Sequence, residues 1–290
     1  MGRFLLNSQK SAPQLSPLLP SPVAGPFSDF VQSPSVRPPL IVHIPHASVE
    51  IPEAVAETFL LAPSALQEEL RVMTDHYTDE LFWLPASIAT LVRYPYSRLV
   101  ADPERFVEDE REPMAKAGMG VLYERSSSGE KLRKALSMGE REQLLAQTYW
   151  PHHKHLERSV ALALTQHVRC LIIDAHSFAS SPLPHEADQD ADRPDICLGS
   201  DEYHTPRQLV GRATECFQNL GYRVAENRPF AGTLVPAGFY RHNPQVWSLM
   251  IEVNRSLYID EQSLQKKPHF ELLRRHLSET IGELSALLVC

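Results

Sequence analysis

Three groups able to hold a metal or move a proton fall where short apolar runs end. His46 follows Leu40-Ile41-Val42-His43-Ile44, His176 follows Cys170-Leu171-Ile172-Ile173-Asp174, and Glu252 stands near the end of Trp247-Ser248-Leu249-Met250-Ile251-Glu252-Val253. A histidine costs free energy to bury, so at a strand end it faces solvent, satisfies a local hydrogen bond or binds a metal. A carboxylate inside an apolar strand is costly unless it is paired or put to use. For Glu252 the two readings are a buried ion pair with Arg255 or Arg98 and a functional acid. The scattered His and carboxylate set is compatible with a zinc site that has three protein ligands and an open position for water. The sequence has no G-x-S-x-G, H-E-x-x-H, Walker A or G-x-G-x-x-G motif, so hydride and nucleoside-triphosphate chemistry find no support.

The elements that must position these groups are legible from pattern. The three apolar runs read as buried strands. Ser64-x-x-Gln67 behind Pro63, Ser137-x-x-Glu140 and Thr205-Pro206-x-Gln208 are capping-box openings that predict helices. The second helix carries Leu144, Leu145, Tyr149, Leu156, Val160, Leu162 and Leu164 at roughly helical spacing, with a kink expected at Pro151, and a closing helix is expected from Pro268 to Leu288. Apolar strands alternating with helices imply an α/β fold, a mostly buried sheet flanked by helices. In such open sheets ligands collect outside the carboxyl ends of the strands, where His46, His176 and Glu252 stand. Ahead of this body, residues 1–39 read as a Pro/Ser-rich arm, and 40–290 as a single α/β domain without internal repeats.

Composition bounds the partners. Hydrophobic residues are 43% and charged residues 22% of the 290, as in an ordinary globular chain. Thirty-six acids against 28 bases give a net charge of -8, which argues against nucleic acid and for a small-molecule partner. Cys170, Cys197, Cys216 and Cys290 are widely spaced and form no C-x-x-C, as expected of reduced cytosolic thiols. No apolar run approaches the roughly 20 residues of a membrane span, and Met1 to Lys10 lacks a signal-peptide core, so a cytoplasmic protein without a membrane partner is expected. The oligomeric state is not legible.

Taken in order, several segments resemble the N-formylglutamate amidohydrolase family. Ile44-Pro45-His46-Ala47-Ser48 is similar to its P-H-x-S/G opening, and Thr74-Asp75 with Asp79 and Leu81 to its next motif. Tyr96-Ser97-Arg98-Leu99-Val100-Ala101-Asp102-Pro103-Glu104-Arg105 resembles the S-R-x-x-x-D-x-N-R run, and Asp174-Ala175-His176-Ser177 the D-x-H-S motif. Further matches are Pro194 to Gly199, Arg241-His242 and Ile251-Glu252-Val253, so the likeness spans about Leu40 to Tyr258. It implies a mixed sheet of zinc-carboxypeptidase-like architecture and hydrolysis of a formyl or other small acyl amide of an acidic amino acid. It implies further that His46, Asp75 and His176 hold Zn²⁺ and that Glu252 is the general base. Glu50 and His76 are rivals for the middle ligand, with Asp75 preferred because its acid belongs to the motif. The alternatives are a carboxypeptidase-like enzyme or deacylase acting on another amide, and a non-catalytic binding relative.

An N-acyl amino acid carries carboxylate, which a guanidinium meets with two parallel hydrogen bonds. By the same resemblance Arg105 is the first candidate for that carboxylate, and Arg98, Arg241 and Arg255 are candidates for a second clamp or for the oxyanion. One position departs from the family: the Asn before the arginine is Glu104 here, an acid that would repel an anionic substrate unless it turns away or pairs. His152 and His155 can share a helix face, and His153, which matches a family histidine near Tyr149, is expected beside the site or on the surface rather than on a metal.

Overall fold

The computed structural model describes residues 38–289; residues 1–37 of the expected arm lie outside them. The strands are β1 (Leu40–Ile44), β2 (Thr90–Arg93), β3 (Cys170–Phe178), β4 (Ile196–Gly199), β5 (Val224–Glu226) and β6 (Val246–Asn254). They form one six-stranded sheet in the order β2-β1-β3-β6-β4-β5. β1, β2, β3 and β6 run parallel, whereas β4 pairs antiparallel with β6 and parallel with β5, so the sheet is mixed. The helices are α1 (Glu53–Ala56), α2 (Pro63–Met73), α3 (Thr78–Leu81), α4 (Met138–Gln147), α5 (Tyr149–Leu164), α6 (Arg207–Asn219) and α7 (Phe270–Ala286). None is long and apolar enough to cross a membrane.

The three expected strands are present, and both long ones outrun their apolar runs. β3 continues to Phe178 because β6 supplies a parallel ladder as far as Phe178 opposite Asn254. His176 therefore lies inside the strand, not after it. Strands β2, β4 and β5 were not expected; with three or four residues each they are too short for alternation to show. Ser137 and Glu140 close the expected capping box on α4. Thr205 does not cap α6, because its hydroxyl donates to the Ser248 carbonyl at 2.6 Å. The expected kink at Pro151 is a break at Thr148, which separates α4 from α5 with φ -121° and ψ -56°. Pro151 then falls in the first turn of α5, where its missing N–H costs nothing.

The period of two along a strand sorts the sheet into two faces. Leu40, Val42, Ile44, Leu171, Ile173, Ala175, Leu249 and Ile251 join the core under α6 and α7. Ile41, Cys170, Ile172 and Val246 pack with Leu156, Val160 and Ala163 of α5 on the other face. Continuing that second face toward the carboxyl ends gives His43 on β1, Asp174 and His176 on β3, and Glu252 on β6. Register sets His43 opposite Asp174 and His176 opposite Glu252.

Candidate active site

The apolar lower halves of β1, β3 and β6 fix their backbones, so the polar residues at their upper ends project from a rigid base. His46 follows β1 by two residues, and its carbonyl accepts from the Asp75 amide at 3.0 Å, which ties the turn after α2 to the end of β1. Through that tie His46, Asp75 and His176 meet, all buried, with one ligand-capable atom of each within 4.8 Å of the others. Asp75 Oδ2 lies 3.3 Å from His176 Nδ1 and 3.7 Å from His46 Nδ1. His46 Nδ1 is buried with no hydrogen-bond partner among the described residues.

Each of the three has an outer anchor. His46 Nε2 is 2.9 Å from Asp102 Oδ1. The other oxygen of Asp102 accepts from Arg98 at 2.8 Å and from the Tyr123 hydroxyl at 2.5 Å. Burial opposes the charge on Asp102, but Arg98 and His46 outweigh it and hold the carboxyl well below its ordinary range. His176 Nε2 faces Asp174 Oδ1 at 3.3 Å, and Asp174 also takes His43 Nδ1 at 2.8 Å and the Leu234 amide at 2.8 Å. Arg255 donates to Asp75 Oδ1 at 3.0 Å and to the Val72 carbonyl at 2.6 Å. A histidine whose far nitrogen is held by a carboxylate has its ring angle and tautomer set for a metal on the near side. The donor set of two imidazoles and one carboxylate, with an unpartnered buried nitrogen turned toward it, fits a zinc ion that keeps an open position.

Beside this group a cavity of about 200 Å³ is lined by His46, Asp75, His176, Glu252, Arg98, Arg105 and Arg255, with Glu104. Glu252 is 7% exposed and its Oε2 has no hydrogen-bond partner among the described residues. Burial pushes its carboxyl up to about 8. The ion pair with Arg255 or Arg98 considered for Glu252 is not formed, since those arginines pair with Asp75 and Asp102. Arg105 Nε is buried without a hydrogen bond, with Asp102 at 3.8 Å and Glu112 at 4.0 Å.

Arg241 is the one proposed clamp residue that does not line this cavity. Its side chain is 57% exposed, pairs with Asp201 at 3.7 Å and lies over the Tyr240 ring. Glu50 is exposed, and His76 Nε2 donates to the Arg71 carbonyl at 3.1 Å, so neither rival joins the cluster of His46, Asp75 and His176. Glu104 turns toward the histidines, 3.4 Å from His43 Nδ1 and 3.8 Å from His176 Nε2. His153 donates to the Pro103 carbonyl at 3.0 Å and packs on Tyr149, and His152 Nε2 meets His43 Nε2 at 2.8 Å. Both support the site from α5. The residues that sequence reasoning did not assign are Asp102, Asp174, His43, Tyr123 and His185. The signal for two of them was available: Asp174 shares a strand face with His176, and Asp102 stands four residues after Arg98.

Two imidazoles and a carboxylate within reach of one another, with a buried acid and the Arg105 guanidinium lining one small cavity, suit hydrolysis of a polar substrate, and the class is that of the amidohydrolases. The chain belongs to the N-formylglutamate amidohydrolase family, whose model matches residues 38–259. It is 28% identical over 233 residues to an N-formylglutamate deformylase of Pseudomonas putida, covering 78% of this chain and 83% of that one. It is 26% identical to an N-formylglutamate deformylase of Pseudomonas aeruginosa, over 78% of this chain and 84% of that one. The fold is that of the N-formylglutamate amidohydrolase from Ralstonia eutropha JMP134, with a TM-score of 0.74, 23% identity and coverage of 87% of this chain and 95% of that one.

Proposed function

We propose that this chain is a zinc-dependent amidohydrolase that removes a formyl or other small acyl group from an acidic amino acid, with N-formylglutamate as the first substrate to test. The observation that carries the reading is the meeting of His46, Asp75 and His176 in one cavity with Glu252 Oε2 and Arg105 Nε, neither of which makes a hydrogen bond among the described residues, in a chain of this family. His46, Asp75 and His176 would hold the zinc, which when bound polarises an amide carbonyl and makes water a stronger nucleophile.

The chain's own residues do the rest. Glu252 takes the proton of the attacking water at its free Oε2 and passes it to the leaving nitrogen, a role worth about 10² to 10⁴-fold in rate. Arg105 binds a substrate carboxylate. Arg98 is committed to Asp102 and Arg255 to Asp75, so in this state they hold the ligand residues in place and lend positive charge to the cavity. Asp102 and Asp174 fix the rings of His46 and His176, which keeps the reacting geometry preorganised. Glu104 favours a second reading, the same chemistry on a different N-acyl amino acid, because it sets an acid at the cavity wall where the family has Asn.

The test is release of formate from N-formylglutamate by the purified chain with added Zn²⁺, beside N-formyl derivatives of uncharged amino acids. Preference for the acidic substrate is expected; turnover of the uncharged amides alone would move the assignment to the second reading.

A further inference from the structure

The loop between β3 and β4 brings to the cavity a residue that no motif marks. His185 lines the same cavity as Arg98 and Arg105, and its Nδ1 is buried with no hydrogen-bond partner among the described residues. The ring is engaged elsewhere with the backbone of Ser127. The Ser127 amide already donates to Glu69 at 2.7 Å, which leaves the Ser127 carbonyl as the group able to accept from a ring N–H. The Ser127 hydroxyl donates to Glu69 as well, at 2.7 Å, which makes this a fixed anchor. A neutral ring with its proton on Nε2, the nitrogen other than the buried Nδ1, has Nδ1 as a lone-pair acceptor. Burial first, and then the charges of Arg98 and Arg105, hold the ring below its ordinary pKa and keep it neutral.

The loop is also built to hold that position. Arg193 pairs with Glu186, donates to the Ala179 carbonyl at 3.1 Å and lies over the rings of Phe178 and Phe230. Arg105 presents the complementary group, a buried Nε without a hydrogen bond, in the same cavity. An acceptor and a donor, neither with a hydrogen bond among the described residues and both within electrostatic reach of each other, thus line one cavity.

We propose that His185 is a substrate-positioning residue whose Nδ1 accepts a hydrogen bond from the nitrogen of an amino-acid substrate while Arg105 takes its carboxylate. The inference rests on the amidohydrolase reading for the identity of the substrate. In an N-acyl α-amino acid the amide N–H and the α-carboxylate flank a single carbon, so one acceptor and one guanidinium can read both. The contact is to the N–H of the scissile amide, whose own proton stays on the nitrogen when the C–N bond breaks, so His185 orients the substrate and does not transfer a proton.

Calorimetric binding of L-glutamate and of glutarate separates this role from a structural one, because glutarate keeps the two carboxylates and has no nitrogen. His185→Ala should weaken glutamate about tenfold, the order expected for one lost hydrogen bond, and change glutarate less than twofold. His185→Asn, whose amide oxygen can stand near the place of Nδ1, should recover part of the glutamate affinity. With N-formylglutamate, KM should rise in His185→Ala while kcat changes little. Equal losses for both ligands, no loss for either, or a wild-type chain that binds neither ligand would overturn the inference. The two proposals fail separately. A glutamate-specific loss in a chain that releases no formate would remove the proposed function and leave His185 standing; formate release with equal treatment of the two ligands would do the reverse.

Discussion

Replacing Glu252 by Gln removes one proton acceptor and leaves almost everything else in place. The β6 ladder is made by backbone groups, the side-chain volume is unchanged, and no hydrogen bond to Oε2 is lost because none is made. What disappears is the base, and a positioned base contributes about 10² to 10⁴-fold, or roughly 2.7 to 5.4 kcal/mol of barrier at 1.36 kcal/mol per tenfold. We expect formate release from N-formylglutamate to fall at least about 100-fold with bound zinc unchanged. The pH dependence has a definite sign. Burial raises the Glu252 carboxyl from 4.5 to about 8, and a cation held by His46, Asp75 and His176 would draw it back, so the acid limb of kcat/KM should lie between those values and vanish in Glu252→Gln. In the metal-free protein the folded pKa lies above the unfolded one. The stability that Glu252 contributes is then complete below 4.5 and is lost as pH rises through about 8. Glu252→Gln should therefore melt no lower than the wild type at pH 9. A variant that turns over within threefold of wild type at equal zinc content would refute the base.

Arg105→Lys keeps the charge and loses the fork, so kcat/KM for N-formylglutamate should fall about 10 to 100-fold and change little for an uncharged amide of similar size; equal losses would make Arg105 structural. Asp102→Asn removes the carboxylate shared by His46 and Arg98, and competition with a chelator should show zinc affinity reduced about 10 to 100-fold. The same change leaves the Arg98 charge without its buried partner, a loss of about 3 to 5 kcal/mol readable by urea denaturation. Gly199→Ala would set a methyl group against the Gly232 carbonyl and the Met250 side chain, where β4 meets β6. A lower urea midpoint, by about 1 to 3 kcal/mol, is expected there, and an unchanged midpoint would show that the Gly232 segment yields freely.

The strands β1, β3 and β6 were legible as apolar runs, but the exit of β3 was not, because its ladder with β6 carries it past Asp174 to Phe178. The short strands β2, β4 and β5 were not, since three or four residues carry no period and their place in the sheet is set by neighbours far along the chain. His46, Asp75, His176 and Glu252 could be singled out from strand ends and motif order, and the fold brings them to one cavity. Arg241 could not be sorted from the other arginines, because a guanidinium's role depends on which carboxylate lies nearby, and Asp201 is that carboxylate here. The anchors Asp102 and Asp174 escaped for the opposite reason: each lies inside a recognised segment, but its partner, His46 or His43, is brought to it only by folding. His185 carries no sequence signal at all, and its place at the cavity wall follows from the fastening of its loop by Arg193.

The central claim is that His46, Asp75 and His176 form a zinc site. Elemental analysis of the purified wild type, His46→Ala and His176→Ala, alongside circular dichroism to confirm the fold, tests it most directly. The account predicts about one zinc per wild-type chain and little in either variant with the fold retained. Unchanged zinc in both variants, or formate release by a wild-type chain stripped of all metal, would contradict it.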